Sequence, residues 1–214
     1  MALSPQISRL ERRLRDGIEA LALDLPEVAV PQLLAYLAEL EQWNAAYNLT
    51  AIRDPQQMVT RHLLDSLAVL PHVRGERIVD VGAGAGLPGL VLAIARPGLS
   101  VTTLDSNGKK TRFMRHAVRS LGLANARVVE ARVEAYEPEA PFDQVLSRAF
   151  ASLADFVTGT RELLAPGGQW VAMKGKLESA ELSALPPGCR IDATHRLLVP
   201  GLPEDRHAVI LTAS

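Results

Sequence analysis

Cysteine is nearly absent from this chain: Cys189 is the only one in 214 residues. A lone cysteine excludes an intrachain disulfide and suits a reducing compartment, so the expected location is the cytoplasm. No stretch reaches the roughly 18 consecutive apolar residues that a membrane-spanning helix needs, so no membrane partner is expected. Arg9, Arg12, Arg13 and Arg15 interrupt the apolar residues of 1–25, against a secretory signal. Aromatic residues make up only 4% of the chain, and its apolar stretches are rich in Ala and Leu, which suits helices. No group of His, Cys, Asp or Glu has metal-ligand spacing, so no metal is expected. A formal net charge of −1 excludes a protein that is basic throughout. Acid is missing, however, from one whole segment. Between Ser106 and Val129 the only charged residues are Lys109, Lys110, Arg112, Arg115, Arg119 and Arg127. A local patch of this kind counts for more than the total when the ligand is a polyanion.

What is present reads as one α/β unit with a helical beginning. With 48% hydrophobic and 22% charged residues, the composition is that of an ordinary globular chain. Ser4-Pro5 has the form of an N-cap followed by a proline at the first helical position, and Ile7, Leu10, Leu14, Ile18 and Leu21 follow at helical spacing. Pro31 opens a second helix carrying Leu33, Leu34, Leu37 and Leu40. Asp54-Pro55-Gln56-Gln57 resembles a capping box and predicts a third helix to about Leu70. From Arg77 strands and helices alternate. Strands are expected at Ile78–Val81, Val101–Leu104, Arg127–Val129, Asp143–Leu146 and Trp170–Met173, and helices at Leu90–Ala95, Gly108–Leu121 and Leu153–Leu164. Repeated βα units predict a Rossmann-like, doubly wound and mostly parallel sheet. Arg190–Val199 and His207–Thr212 have no helix between them, so an antiparallel hairpin should close the chain. The expected division is a helical extension over 1–72 and a Rossmann-like domain over 73–214, forming one structural unit.

The run Asp80-Val81-Gly82-Ala83-Gly84-Ala85-Gly86-Leu87-Pro88-Gly89 lies between the first strand and its helix. Glycines there permit a tight turn and let a ligand approach the backbone. The pattern Gly84-x-Gly86-x-x-Gly89 also fits a dinucleotide site, so an NAD-dependent oxidoreductase competes. Three features favour S-adenosylmethionine. Asp80, at the strand end, suits the ammonium of a methionyl group better than a pyrophosphate. The glycines at 82, 84 and 86 have the usual methyltransferase arrangement. Pro88 removes an N–H that a pyrophosphate would use.

Other strand ends add candidates. Asp105, about 20 residues beyond the turn, is placed to hydrogen-bond ribose hydroxyls, or else to cap the next helix. Val133-Glu134 could meet an adenine ring and its amino group. Ser147-Arg148-Ala149 stands where amino-methylating enzymes of this architecture carry an Asp/Asn-Pro-Pro-aromatic motif, and Cys189 is too far away to serve as a nucleophile. Arg148 can contact the cofactor, hold a polyanion, or pair with Asp80 or Glu134. Lys109, Arg112, His116 and Arg119 recur on one face of their helix. They read as a phosphate-facing stripe, against the plainer reading of a solvated amphipathic face. Arg61, His62 and Asp65 are candidates for the active-site mouth, and Lys174 for a phosphate contact.

The blocks WNAAYNLTAIRDP, RHLLDSLAVLP, DVGAGAGLPG, LDSNGKKTRF, FDQVLSRAFASL and MKG, in order from Trp43 to Gly175, resemble the bacterial 16S ribosomal RNA 7-methylguanosine methyltransferase family, also called glucose-inhibited division protein B. The resemblance implies a class I S-adenosylmethionine-dependent methyltransferase fold with a helical N-terminal extension. It implies N7 of one guanine in 16S rRNA as acceptor, with the RNA or the small ribosomal subunit as partner. Carried over by position, the cofactor residues are Gly82, Leu87, Val133, Glu134 and Arg148. Asp80, Gly84 and Asp105 join them from their places in the turn and at the strand end. Expected RNA contacts are Lys109, Lys110, Arg112, Arg115, Arg119 and His62. Asp65, Arg61 and Lys174 are expected to position the substrate, with Asp65 countering charge that develops on the base. Nothing in the chain argues against a monomer. A non-catalytic RNA-binding module on the same fold is the third reading.

Overall fold

The computed structural model describes residues 5–213. Among these residues seven strands form a single sheet: β1 Arg77–Val81, β2 Ser100–Asp105, β3 Ala126–Glu130, β4 Phe142–Ser147, β5 Leu164–Lys174, β6 Cys189–Arg196 and β7 His207–Ala213. Their order is β3-β2-β1-β4-β5-β7-β6. The first five are parallel, and β7 runs antiparallel to both β5 and β6. The parallel order reverses between β1 and β4, and a crevice opens beyond the carboxyl ends of strands at such a switch point.

The expected helices form with shifted ends. α1 spans Pro5–Ala20, and Ser4, its expected cap, lies outside the described residues. α2 (Ala29–Tyr47) begins two residues before Pro31, whose missing N–H falls in a first turn that makes no intrahelical bond there. The third helix departs most. It consists of α3 (Pro55–Met58), a π-helical stretch Val59–Leu64 and a last turn, α4 (Asp65–Leu67), followed by a 3₁₀ turn at Leu70–His72. Asp54 Oδ1 accepts from Gln56 N at 3.1 Å as an N-cap should, whereas Gln57 Oε1 accepts from Arg61 Nε at 3.2 Å. Every residue from Met58 to Leu70 except Arg61 is buried, so this helix has no solvent face.

Beyond the sheet's first strand come α5 (Gly89–Ala95), α6 (Gly108–Ser120) and α7 (Leu153–Thr160). A short helix that the sequence did not suggest, α8, spans Ser179–Ser183. β5 starts six residues before Trp170. Phe142 pairs with Leu164 and Gln144 with Gln169, so Pro166-Gly167-Gly168 bulges out of the strand.

Strand alternation divides the core. Ile78, Leu146, Val171 and Met173 pack with α1, α2, the 55–67 helix, α5 and α6. Val79, Val145, Trp170 and Ala172 face the other way, onto α7. The N-terminal helices therefore share one hydrophobic core with the sheet. Tyr36 of α2 is fully buried and donates its hydroxyl to the carbonyl of Ala85 in the glycine turn at 2.7 Å. Burial pushes its phenol far above the usual range, so it stays a donor. Tyr36→Phe leaves that carbonyl unpaired and should cost about 1–3 kcal/mol, read from urea unfolding. A loss below about 0.5 kcal/mol would show that the bond adds nothing beyond a typical surface change.

Candidate functional site

The glycine turn is shaped by bonds from beneath. Gly82, Gly84 and Gly86 have φ of +70, +61 and +91°, a region that side chains with a Cβ rarely occupy. Asp105 Oδ2 accepts Gly84 N–H at 2.8 Å and its Oδ1 accepts Asn107 N–H at 2.8 Å, so the end of β2 holds the turn. Asn107, not Asp105, caps α6, accepting from Lys109 N and Lys110 N. Asp80 lies under the turn. Its Oδ2 accepts the first N–H of α5, from Gly89, at 2.7 Å, and its Oδ1 is buried without a partner.

Beside the turn is a crevice of about 330 Å³. Gly82 and Asp105 form one side of it, Val133 and Glu134 another, and Ala149 and Phe150 face them from beyond β4. A methyl group on Gly82 would come within 2.6 Å of the Ala149 Cβ, so glycine keeps this passage open. This lining suits a nucleoside. Asp105 is a carboxylate at the second strand end, Val133 offers an apolar face, and Glu134 is an exposed acceptor. Arg132, Phe150 and Lys110 also line the crevice. Lys110 Nζ is 3.8 Å from Asp105 Oδ2, on the crevice side, with its side chain still 37% exposed. Leu87 is 4% exposed and packs in the core behind the turn.

On the β4 side, Arg148 Nη1 donates to Asp65 Oδ2 at 2.9 Å, and Arg206 Nε donates to Asp65 Oδ1 at 3.0 Å. Arg148 thus pairs with neither Asp80 nor Glu134. The expectation for Asp65 fails as well. Both its oxygens hold guanidinium groups and its side chain is only 2% exposed, so it does not face a substrate at the mouth. His62 is not an RNA contact either. It is buried, Nε2 lies 3.0 Å from Thr50 Oγ1, and burial lowers its pKa to about 4, helped by Arg148. Lys174 has no N–H to spare for a phosphate. Its ammonium meets Glu181 at 2.7 Å, the Ala151 carbonyl at 2.8 Å and the Phe150 carbonyl at 3.4 Å. Arg61 is near the surface and pairs with Glu204 at 2.6 Å.

The α6 stripe is less uniform than its sequence. His116 meets Glu39 of α2 at 2.7 Å and lies 4.9 Å from the Trp43 ring, so it is part of a helix–helix seam. Arg115 pairs with Glu130 at 3.0 Å. The missing acids are supplied by neighbouring elements. Lys109, Arg112 and Arg119 remain exposed. Among the residues the sequence did not single out, Arg206 is the clearest. It sits among Glu204, Asp205 and His207, and only the folded chain brings it to Asp65, 141 positions away.

A profile of the family described as rRNA small subunit methyltransferase G matches residues 29–209. A protein of that name from Methylobacillus flagellatus is 53% identical over 204 residues, 95% of this chain and 98% of the relative. Another from Chromohalobacter salexigens is 58% identical over 191 residues, 89% and 91% of the two chains. Among solved structures, an S-adenosylmethionine-dependent methyltransferase from Thiobacillus denitrificans in complex with S-adenosyl-L-homocysteine is similar with a TM-score of 0.52 at 13% identity, over 90% of this chain and 100% of that one. TrmN from Thermus thermophilus has a TM-score of 0.57 at 23% identity, over 73% and 53%. These structures share the class I methyltransferase fold.

Asp80 makes stability depend on pH. Burial raises its carboxyl to about 7, against the opposing pull of the Gly89 N–H and Arg148. An unfolded aspartate ionises near 4. Between those values the unfolded chain gives up the proton first, so this contribution to stability falls as pH rises. Asp80→Asn removes the dependence. Its melting temperature relative to the unmodified chain should be higher at pH 8 than at pH 5. An equal difference at both pH values would contradict this assignment.

Proposed function

The chain belongs to the rRNA small subunit methyltransferase G family of S-adenosylmethionine-dependent enzymes, and we propose that it methylates N7 of one guanine in 16S rRNA. The observation that carries the cofactor reading is the crevice itself: glycine backbone at Gly82 on one side, and Asp105, Val133 and Glu134 around the rest. In this reading Asp105 receives the ribose hydroxyls, Val133 lies against adenine, Glu134 accepts from its amino group, and Gly82 gives the methionyl end room. Arg148, directly after β4 and directly before Ala149 of the crevice wall, is held by Asp65. The bound donor supplies an electrophilic methyl on a sulfonium.

Guanine N7 presents an in-plane lone pair and carries no proton, so no residue has to act as a base before transfer. Ser147-Arg148-Ala149 accordingly needs neither the proline-rich amino-methylation motif nor a cysteine. The work left to the chain is positioning: holding acceptor and methyl in line within a preformed wall. Arg61 at the mouth and Lys109, Arg112 and Arg119 on α6 supply cations for the RNA backbone. In this reading the helical segment 1–72 and the domain 73–214 act as one unit, and a monomer working in the cytoplasm is sufficient.

Methyl transfer to small-subunit RNA, with mass-mapping of the modified base, tests the reaction. Methylation at another atom, or none, overturns the proposal. Within the site, Glu134→Ala should weaken S-adenosylhomocysteine binding about tenfold, roughly 1.4 kcal/mol, by calorimetric titration. Because Glu134 is exposed, the ligand-free melting temperature should not move. Unchanged affinity would remove Glu134 from the cofactor site.

A further inference from the structure

α1 has a face that the fold does not need. Its buried side is Leu10, Leu14, Gly17 and Ile18. Arg9, Arg12, Arg13 and Asp16 follow at i, i+3, i+4 and i+7, which places them together along one flank. With Pro200 and Gly201 of the 197–206 connection, they line a cleft of about 420 Å³. Three guanidinium groups and one carboxylate leave this cleft net positive in a chain whose total charge is −1. Among the described residues no acid pairs with Arg9, Arg12 or Arg13 within salt-bridge distance. Arg15, on the far flank, is paired with Glu11 at 2.7 Å.

The cleft is built, not merely charged. Arg13 donates through both Nε and Nη2 to Thr60 Oγ1, at 3.0 and 2.8 Å, and Thr60 is a buried residue of the π-helical stretch. Gly201 has φ +77°, and a methyl group there would stand 3.1 Å from Arg13 Nη2. Glycine thus brings the opposite wall close to the guanidinium. Three like charges held side by side repel one another, and an anion between them relieves that repulsion.

The surroundings say which anion. Thr60 is followed by Arg61, which pairs with Glu204, and Gly201 belongs to the same connection as Glu204 and Arg206. Arg206 shares Asp65 with Arg148 at the end of β4. The seam between the π-helical stretch and the 197–206 connection therefore runs from the α1 arginines, past Arg61, to Arg206, Asp65 and Arg148, the last of which directly precedes Ala149 of the crevice. A succession of cations leading toward the proposed methylation site suits a polyanion with many phosphates better than a single small anion. We propose that Arg9, Arg12 and Arg13 form a binding site for phosphates of the substrate RNA, remote from the methylated base. This rests on the RNA methyltransferase reading above. The family profile begins at residue 29, so α1 lies outside the matched segment.

The test uses the full chain and a fluorescent fragment of small-subunit rRNA that carries the acceptor guanine. Arg9→Glu/Arg12→Glu should weaken RNA binding at least tenfold at low salt. The slope of log affinity against log salt should become shallower by about 1.4, since each single-strand phosphate left without its cation lowers it by about 0.7. S-adenosylhomocysteine affinity and melting temperature should match the unmodified chain. Arg190→Glu, on the exposed edge strand β6, changes net charge in the same direction and should do far less. If the reversed pair does not fold, Arg9→Gln/Arg12→Gln should give the same change of slope. An unchanged slope, or an equal loss from Arg190→Glu, overturns the site. The unmodified chain distinguishes the two readings: if it methylates small-subunit RNA while the variants bind as well as it does, only the α1 site fails. If it neither binds nor methylates that RNA, the function proposed above fails with it.

Discussion

One buried carboxylate ties the N-terminal helices to the end of β4 and to the final hairpin. Asp65 lies at the start of α4 with almost no exposure, and a lone charge there would be costly to keep out of water. Arg148 and Arg206 remove that cost by approaching its two oxygens separately. They arrive from positions 83 and 141 residues away, one beyond β4 and one just before β7. Such a triad adds little net stability compared with an apolar packing of the same volume, but losing one member strands a charge at a cost of several kcal/mol. It therefore acts as a register pin: the final hairpin, the end of β4 and the N-terminal helices must meet in one arrangement. One negative charge between two positive ones also leaves an excess of +1. Both guanidinium groups are about a quarter exposed, at 29% and 24%, so the excess faces the solvent side.

The π-helical stretch makes this meeting possible. In a regular helix, neighbouring polar side chains at i, i+3 and i+4 point the same way. Val59–Leu64 follows a wider turn, and its polar residues go to different partners. Thr60 meets Arg13 of α1, Arg61 meets Glu204, and His62 meets Thr50 before α3. His62 stays neutral because burial, with Arg148 in support, lowers its pKa. A protonated imidazole would add another positive charge beside Arg148, which Asp65 already serves.

The parallel sheet was legible in the sequence because each βα unit announces itself locally, by an apolar run, a turn and a helix cap. The glycine turn was legible for the same reason: φ above zero selects glycine whatever lies around it. Pairings between distant segments were not. Asp65 reads as a free acid in the sequence because its two partners lie 83 and 141 positions away. Lys174 looked available because its three acceptors include two main-chain carbonyls, which carry no sequence signature. The acid-free 106–129 segment was real, yet Glu39 and Glu130 reach part of it from other elements. α8 and the bulge at Pro166-Gly167-Gly168 escaped because both are too short to show a period.

These long-range bonds leave the two walls of the crevice unequal. The segment after β4 is held at every step: Arg148 by Asp65, the Phe150 and Ala151 carbonyls by Lys174, and Leu153 N–H by Glu181 at 3.0 Å. Ser152 then caps α7 by accepting from Asp155 N. Ala149 and Phe150, which line the crevice, are thus fixed before any ligand arrives, and a fixed wall spares binding the entropy of ordering it. Across the crevice, Val133 and Glu134 sit on a single 3₁₀ turn with no buried residue. With guanine N7 as the proposed acceptor no proton has to move, so the reaction would depend on geometry at the methyl, and the rigid wall is the one carried by the strand that leads into Arg148. In the proposed reading, adaptation to the nucleoside is left to the opposite turn, where a small adjustment does not disturb the alignment.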